Sequence, residues 1–433
     1  MLYLGIDIGK NSHVASLMDE KAKVLFKAFS FSNTTDGANS LIDKLSTYIT
    51  ETSSVEIGME ATGHYWLSIY SFLFEKGYTI HVVNPIQTDG WRKGTEIRKR
   101  KTDIIDSVLI ADLIRYGDFV ETSLSDEDTM SLRNKSRFRN YLVSSISDLK
   151  RKVICILEQV FPEYQSVFSD VFGTTSKELL CHFQTAEDFE NINAEELEKA
   201  FENITLKKFA KNKVSEISDI AANSFGLKFC RNSFSLQLKL LIEQIKFIEE
   251  QVSDVEKEIN VILEKIDSPI TTIPGIANTN AAVILGEIGD IKRFSNASKL
   301  AAYAGIDASV SQSGEYQASN NKMSKRGSPY LRKALFQAAL VAAFNDPVFS
   351  AFYQKKRAEG KHHLTAVGAV ARKMCNIIFA VLKNNTPYQS QQLLRVNIFV
   401  LDLTCVRSFS AVYLFNPIHK ISKRFFQFPI DFL

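Results

Sequence analysis

Four acidic residues in the N-terminal part of the chain have the types and spacing of a metal-binding site. Asp7 lies inside the apolar segment LYLGIDI, and Glu60 ends the segment VEIGME. A carboxylate within a buried strand is costly unless it is paired or bound to a metal. Asp103 and Asp106 occur in KTDIIDSVLIADL, where a spacing of three leaves two side chains about 60° apart on one helical face. Asp112 falls near the opposite face, so we exclude it.

These four carboxylates predict chemistry that depends on a hard cation. Oxygen ligands suit Mg²⁺, and Mn²⁺ accepts the same ligands. Two such ions can activate an attacking oxygen and stabilise a leaving oxygen during in-line phosphoryl transfer. Asp103 and Asp106 could instead be ordinary charges at a helix N-terminus. That alternative does not explain Asp7, so we predict that the four acids are metal-binding and catalytic.

A basic run directly precedes the predicted acidic helix. Charge runs are usually solvated surface, but a polyanion held beside the four acids would need neutralising. We therefore predict that this run contacts nucleic acid. Besides Trp91, it contains Arg92, Lys93, Arg98, Lys99, Arg100 and Lys101.

Two later segments are also candidates for contact with phosphates. The segment TIPGIANTNAAVILGEIGDIKRF has a Pro-Gly turn between helical patterns, which is typical of a helix-hairpin-helix element with backbone N–H groups near Gly275. A plain helical turn is the alternative. Lys325 and Arg326 follow a loop rich in Ser, Gly and Asn, and we predict that they contact nucleic acid. The serines of this loop have no histidine nearby, and spacing alone makes none of them a nucleophile.

The elements that must position the acids form an α/β pattern. Apolar runs predict strands at 2–8, 14–18, 24–28, 55–59 and 79–83. Helical patterns cover 40–48 and 65–74, a basic loop follows Asn84-Pro85, and the acidic helix starts near Thr102. Strands followed by alternating strands and helices indicate a domain with a mixed sheet, which we place at 1–130.

The rest of the chain is predicted to be mostly helical. A helical linker with a coiled-coil arm covers 131–268, because apolar residues recur there in alternating steps of four and three from Phe234 to Ile266. This seam fits an antiparallel hairpin within one chain or a coiled coil between subunits, and the heptads alone do not decide. A second helical domain covers 269–388. The tail at 389–433 has no clean period and no assigned role.

Composition limits the class of protein. A chain of 433 residues with a net charge of +3 can hold two or three domains and neither requires nor excludes a nucleic-acid partner. Five widely spaced cysteines without a CxxC pair fit a reducing cytoplasm. We expect no signal peptide, because Asp7 interrupts the first apolar run, and no stretch that spans a membrane.

The motifs together resemble a known family. GIDIGK, MEATGHY, KTDxxDSxxIADL, IPGI, GEIGDIKRF, LAAYAGI, QSG and SKRG occur in the order found in the DEDD transposases of the insertion-sequence one-ten family, whose relatives include pilin-gene invertases. The resemblance covers about residues 1–388, and the tail has no recognised counterpart. It implies a ribonuclease-H-like N-terminal domain of the Holliday-junction-resolvase type, with Asp7, Glu60, Asp103 and Asp106 as its acids.

The same resemblance implies how the enzyme would act. A C-terminal transposase domain would carry a serine nucleophile, which maps onto Ser313 of QSG, with Ser309 and Ser311 as alternatives. That serine would form a phosphoserine link to DNA and release a 3′-hydroxyl. Some members use a bridge RNA that pairs with donor and target DNA, and they act as dimers that join into tetramers. We therefore expect a DNA transposase or recombinase with a guide RNA.

Three other functions fit parts of the sequence. A junction-cutting nuclease would use the acids without rejoining strands. A kinase or ATPase of the actin-like fold would explain LGIDIGK, but Lys10 stands where that fold's phosphate loop favours a small hydroxyl residue, and the TDxxD helix would have no role. A non-catalytic DNA-binding protein would leave Asp7 unexplained.

Overall fold

The computed structural model describes eight stretches of the chain, which form two compact units, Met1–Leu124 and Ser125–Leu433. The described residues are 1–61, 63–95, 102–119, 126–192, 216–307, 312–313, 316–317 and 323–389. Several residues singled out above lie outside them, namely Arg98, Lys99, Arg100, Lys101, Ser309, Ser311 and the tail after 389. Of Ser313, only the backbone is described.

The first unit is built on a five-stranded mixed sheet. The strands are β1 (Leu2–Ile8), β2 (Ser12–Asp19), β3 (Val24–Ser32), β4 (Val55–Glu60) and β5 (Thr79–Val83). They lie in the order β3-β2-β1-β4-β5. Strand β1 is antiparallel to β2 and parallel to β4, which is itself parallel to β5. The predicted α/β domain with a mixed sheet is confirmed, and each predicted strand is present.

The two faces of β1 have different neighbours. The helices of this unit are α1 (Thr35–Ser46), α2 (Trp66–Glu75), α3 (Pro85–Thr95) and α4 (Asp103–Tyr116). Leu4 and Ile6 lie in the hydrophobic core with Leu41 of α1 and Leu73 of α2. Side chains alternate along a strand, so Gly5 and Asp7 face the other side of the sheet. Helix α4 packs on that side, which brings its acids to the face that carries Asp7.

Two contacts hold α4 close to the sheet. A side chain at Gly5 would overlap the backbone of Ser107 and Ala111, so only glycine allows this approach. Beside it, the buried hydroxyls of Ser16 in β2 and Ser107 in α4 share a hydrogen bond of 2.7 Å. The position of the acidic helix therefore depends on residues that are not themselves acidic.

We expect Gly5→Ala to destabilise the protein strongly, because the new methyl group would push α4 off β1. The free energy of unfolding should fall by about 3 kcal/mol, the upper end of ordinary overpacking, measured by denaturant unfolding of the full chain. Gly90→Ala in α3 is the matched control, because a Cβ there meets no atom within 4 Å. Equal stability of the two variants would contradict the close packing of α4.

The prediction of a loop directly after Asn84-Pro85 was wrong, because helix α3 begins at Pro85. The side chain of Asn84 accepts a hydrogen bond of 2.9 Å from the backbone N–H of Ile86. Proline is favoured in the first turn of a helix, where its missing N–H needs no partner. Asn-Pro was therefore a helix-start signal as well as a strand-stop signal, and Trp91, Arg92 and Lys93 lie on a helix.

The second unit is mostly helical, as predicted, and has two hydrophobic cores. Its elements are α5 (Glu127–Val160), α6 (Tyr164–Val167), α7 (Thr174–His182), α8 (Ala186–Glu190), α9 (Arg231–Ile266), α10 (Asn278–Ile288), α11 (Ala297–Ala304), β6 (Gln312–Ser313), β7 (Tyr316–Gln317), α12 (Pro329–Asn345), α13 (Pro347–Ala358) and α14 (His363–Asn384). One core joins α6, α7 and α8 to parts of α5 and α9, and the other joins the later helices to the opposite parts of α5 and α9.

The heptad seam of α9 packs against α5 of the same chain. Leu238 and Ile245 of α9 are fully buried in a core that includes Val153 of α5. Near the other end of the pair, Lys135 of α5 donates to Glu258 of α9 at 3.0 Å, which makes the two helices antiparallel. Of the two alternatives for the seam, the structure shows the hairpin within one chain.

Helix α14 requires a correction to the expectation about membranes. By length and composition it is apolar enough to cross a bilayer, and the bent pair α12 and α13 passes the same test together. Val370, Met374 and Ile378 of α14 are buried in the second unit's core. The apolar composition of α14 is thus accounted for by packing within this unit.

Candidate functional site

Asp7 and Glu60 lie at the same edge of the sheet. Strands β1 and β4 are parallel neighbours, with Ile6 opposite Met59. Asp7 and Glu60 each follow one member of this pair, so both approach the carboxyl ends of adjacent strands. The parallel register therefore brings together two acids that are far apart in sequence.

Asp103 and Asp106 lie in the first turn of α4, which begins where the sequence predicted a helix, near Thr102. The side chain of Thr102 accepts a hydrogen bond of 3.4 Å from the backbone N–H of Ile105 and so caps this helix. Asp103 is exposed, whereas Asp106 is buried. The positive end of the helix dipole favours two carboxylates at this position.

The electrostatics of Asp7 indicate that the four acids are neighbours. The pKa of Asp7 is raised from 3.8 to about 6, first by burial and then by repulsion from Asp106, Asp103 and Glu60. A hydrogen bond from the backbone N–H of Ile8 opposes it only in part. Negative charge is therefore costly at Asp7, and a nearby cation would relieve that cost.

Two of these acids are held by side chains from α3. Thr88 donates to Oε2 of Glu60 at 2.7 Å, and it is itself buried. Arg92 donates from Nη2 to Oδ1 of Asp106 at 2.8 Å. Sequence reasoning missed Thr88 and assigned Arg92 to nucleic acid alone. Thr88 and Arg92 both lie in the segment that was predicted to be a loop, and the side chain of each contacts one of the four acids.

As the side chains stand, no three acidic, histidine or cysteine residues in the described ranges form a group that could hold a metal ion. This finding is compatible with the repulsion at Asp7. Charges repel each other over several ångströms, whereas an oxygen that binds Mg²⁺ must lie about 2.1 Å from the ion. The donors have the oxygen chemistry that a hard cation prefers. Side-chain rotation would have to bring them closer together.

Asp112, which was excluded from the acidic set, has partners on its own side of α4. Its Oδ1 accepts from Nη2 of Arg115 at 2.7 Å, and its Oδ2 accepts from the indole N–H of Trp91 at 3.1 Å. Asp112 is also absent from the charges that act on Asp7. Its geometry agrees with its exclusion, and Trp91 is held against α4.

The remaining predicted nucleic-acid contacts have different environments. Lys93 is exposed and pairs with Asp89 at 2.6 Å. Gly275 has a φ of 86°, and a side chain there would overlap the backbone of Ala338. Gly275 thus has a packing reason to be glycine, whether or not it contacts phosphate.

The segment that contains the candidate serine is a short hairpin in its described part. Ser313 of β6 pairs with Tyr316 of β7, and two residues separate the strands. A loop or short hairpin was predicted here, and a hairpin is present. Because only the backbone of Ser313 is described, its nucleophilic role stays a prediction.

The two ends of this segment are joined by backbone hydrogen bonds. Ser324 donates to the carbonyl of Asp307 at 2.9 Å, and Lys325 donates to Gly305 at 3.1 Å. Lys325 has a φ of 52°, and both Lys325 and Arg326 are exposed. Two exposed cations therefore stand where the serine segment leaves the helical core.

A buried acid in α10 holds the segment that leads from the serine hairpin into α12. Glu287 is 2% exposed and accepts from Arg137 of α5 at 2.6 Å and 3.0 Å. The hydroxyl of Ser328, which caps α12, donates to Glu287 at 2.8 Å. This network joins α5, α10 and the start of α12. The clue in the sequence was an acid within the apolar helix NTNAAVILGEI, the same clue that singled out Asp7.

Comparison with known proteins assigns the chain to a class. A family described as "Transposase" (DEDD_Tnp_IS110) matches residues 4–162, and "Transposase IS116/IS110/IS902 family" matches residues 267–354. The first range contains all four acids, and the second contains Glu287 and the candidate serine. The chain belongs to the family of DEDD transposases of the IS110 type.

Individual relatives agree with that assignment. The pilin gene-inverting protein of Moraxella bovis is 25% identical over 390 residues, which is 90% of this chain and 98% of that protein. The protein of the same name from Moraxella lacunata is 24% identical over 390 residues, with the same coverage. An insertion element IS110 protein of Streptomyces coelicolor is 34% identical over 125 residues, 29% of this chain and 31% of that one. This family acts on DNA by transposition and recombination, so the kinase alternative loses its support.

Proposed function

We propose that this protein is a metal-dependent DNA recombinase that cleaves and rejoins the strands of a mobile element. The observation that carries the proposal is the environment of Asp7, where burial and three neighbouring carboxylates penalise negative charge. Such a cluster is costly in a protein that does not use it. A non-catalytic DNA-binding protein would have no reason to keep it.

Asp7, Glu60, Asp103 and Asp106 would hold Mg²⁺ or Mn²⁺. When bound, the cation supplies charge neutralisation for an attacking and a leaving oxygen. Thr88 keeps Glu60 oriented through the bond to Oε2. Gly5 and Ser16 keep α4, and with it Asp103 and Asp106, against the sheet. The residues of this unit thus position the acids before any substrate arrives.

Ser313 would be the nucleophile, with Ser309 and Ser311 as alternatives. Its hydroxyl oxygen would form a bond to phosphorus and lose its proton, while the bond from phosphorus to the 3′-oxygen breaks and that oxygen takes up a proton. The products are a phosphoserine link and a free 3′-hydroxyl, and attack by a 3′-hydroxyl on the phosphoserine would rejoin the strand. The exposure of Lys325 and Arg326 supports a role for them in neutralising phosphates near this segment.

The finer features of the resemblance belong to the same proposal. The strand order β3-β2-β1-β4-β5 with α4 on one face supports a ribonuclease-H-like fold for the first unit. The Pro-Gly turn before α10 supports a helix-hairpin-helix contact to phosphates through the backbone near Gly275. We also propose that the protein acts on donor and target DNA with a guide RNA, that it forms dimers which pair into tetramers on DNA, and that it is cytoplasmic.

An assay of recombination tests this function. The full chain would be produced together with the non-coding DNA that flanks its gene, and then mixed with a plasmid carrying the element and its junctions. We expect recombined DNA only when Mg²⁺ or Mn²⁺ is present, detected by amplification across the new junctions. Treatment with ribonuclease before mixing should remove the activity if a guide RNA takes part.

The rival activity predicts a different product in the same assay. A junction-cutting nuclease would release cut ends that are never rejoined and would leave no protein attached to DNA. Cleaved but unjoined DNA, independent of ribonuclease treatment, would favour that nuclease. No reaction with any divalent cation would contradict both.

A further inference from the structure

One ion pair in the first unit lies directly on a proposed metal ligand. Nη2 of Arg92 is 2.8 Å from Oδ1 of Asp106, and the two side chains are 17% and 9% exposed. Nη1 of the same arginine lies 3.7 Å from Asp89 on its own helix. The pair joins α3 to α4 and is largely withdrawn from water, where charged hydrogen bonds are strong.

The rest of the Arg92 side chain is also enclosed. Its Nε is buried and has no hydrogen-bond partner among the residues that the structure describes. The hydrogen-bonding capacity of this guanidinium is not fully satisfied, because its Nε–H group makes no hydrogen bond to any described residue. On leaving Asp106, Arg92 would therefore lose fewer hydrogen bonds than a fully paired guanidinium would.

We propose that Arg92 is the resident cation of the acidic centre and that a divalent cation must displace it from Asp106. This inference rests on the proposed metal site. Oδ1 of Asp106 cannot be fully used by the guanidinium and by a metal at once, and two positive charges at one carboxylate repel each other. Arg92 thus keeps the metal-free centre folded and sets how tightly the metal binds.

The opposite role would leave a different signature. If Arg92 orients Asp106 for the metal, as an outer partner of a ligand does, its removal weakens binding. If Arg92 competes with the metal, its removal strengthens binding. The sign of the change in affinity separates the two roles without any measurement of recombination.

The test compares Mg²⁺ binding by wild type and Arg92→Gln in the full chain without DNA. The apparent Kd follows from the rise in melting temperature with Mg²⁺ concentration and from calorimetric titration. We expect Arg92→Gln to melt at a lower temperature without metal and to bind Mg²⁺ about tenfold more tightly, since a charged hydrogen bond is worth about one factor of ten. The Mg²⁺ affinity of Arg92→Lys should fall between those of wild type and Arg92→Gln. Arg92→Lys replaces Arg92→Gln in the test if Arg92→Gln folds poorly without metal.

Arg115→Gln is the matched control. Arg115 pairs with Asp112 at 2.7 Å on the same helix, but Asp112 is outside the acidic set. This variant also loses one arginine–aspartate pair, and its Kd for Mg²⁺ should match that of wild type. A Kd for Arg92→Gln that is unchanged or raised, with Mg²⁺ still stabilising wild type, would overturn only this inference. If Mg²⁺ stabilises neither protein, the proposed metal site fails as well.

Discussion

Asp7→Asn will abolish strand cleavage and will raise the melting temperature of the metal-free protein at neutral pH. Asparagine has nearly the same shape but carries no charge, so it removes one anionic ligand and also the repulsion with the other three acids. We expect the cleavage rate to fall by about 10³-fold or more, which is about 4 kcal/mol of barrier. Cleavage of labelled DNA with Mg²⁺ and a thermal melt in EDTA measure the two effects.

The gain in stability should depend on pH in a defined direction. The folded-state pKa of Asp7 is raised from 3.8 to about 6. Its stabilising contribution is therefore complete below about pH 4 and is lost as the pH rises through 6. Asp7→Asn lacks this loss, so its melting temperature should match wild type near pH 4 and exceed it increasingly up to about pH 7. A difference that does not change with pH would show that the acids do not repel Asp7.

The activity measurement has its own control. Asp112→Asn removes a carboxylate from the same unit, but one that pairs with Arg115 and Trp91 and not with the acidic set. That variant should retain cleavage at a measurable rate. Full activity of Asp7→Asn would refute the metal site, whatever the melts show.

Ser313→Ala will abolish the covalent link between protein and DNA while leaving Mg²⁺ binding unchanged. Alanine removes the oxygen that would form the bond to phosphorus, and loss of a nucleophile typically lowers a rate by about 10³-fold or more. The Mg²⁺ affinity should not change, because the substitution leaves all four carboxylates of the proposed metal site in place. Denaturing gels of labelled DNA detect the attached protein, and mass spectrometry of the digested adduct locates the modified residue.

Neighbouring serines provide the internal comparison. Ser309→Ala and Ser311→Ala change the same segment of sequence by the same hydroxyl group. Only one of the three variants should lose the adduct completely. If Ser313→Ala forms the adduct at the wild-type rate and one neighbour does not, the nucleophile moves to that neighbour. If all three form it, the serine mechanism is refuted.

The sequence by itself determined the strands of the first unit. Apolar runs such as Leu2–Ile8 and Val55–Glu60 are short and bounded by turn residues, so the five strands could be located before the structure was known. The acids were found for the same reason, since a charge within an apolar run is conspicuous. Helix α3 was missed because Asn-Pro was taken only as the end of a strand, although it also starts helices.

The partner of the heptad seam could not be determined locally. An apolar stripe on α9 buries the same surface against a helix of its own chain or of another chain. The tertiary structure decides the matter, because Val153 and its neighbours on α5 occupy the seam. The strength of the pattern predicted that the stripe would be covered, but not by what.

For the acidic centre, too, the sequence predicted some features and only the structure showed the others. Residue type and spacing identified Asp7, Glu60, Asp103 and Asp106 as candidates, because carboxylate chemistry and helical periodicity are local properties. Sequence did not reveal that Arg92 neutralises Asp106 or that Gly5 admits the acidic helix. Arg92 and Asp106 are 14 residues apart on two helices, and their contact exists only because α3 and α4 pack together on one face of the sheet. No periodic pattern encodes that packing, so only the tertiary structure could show which cation the acids already hold.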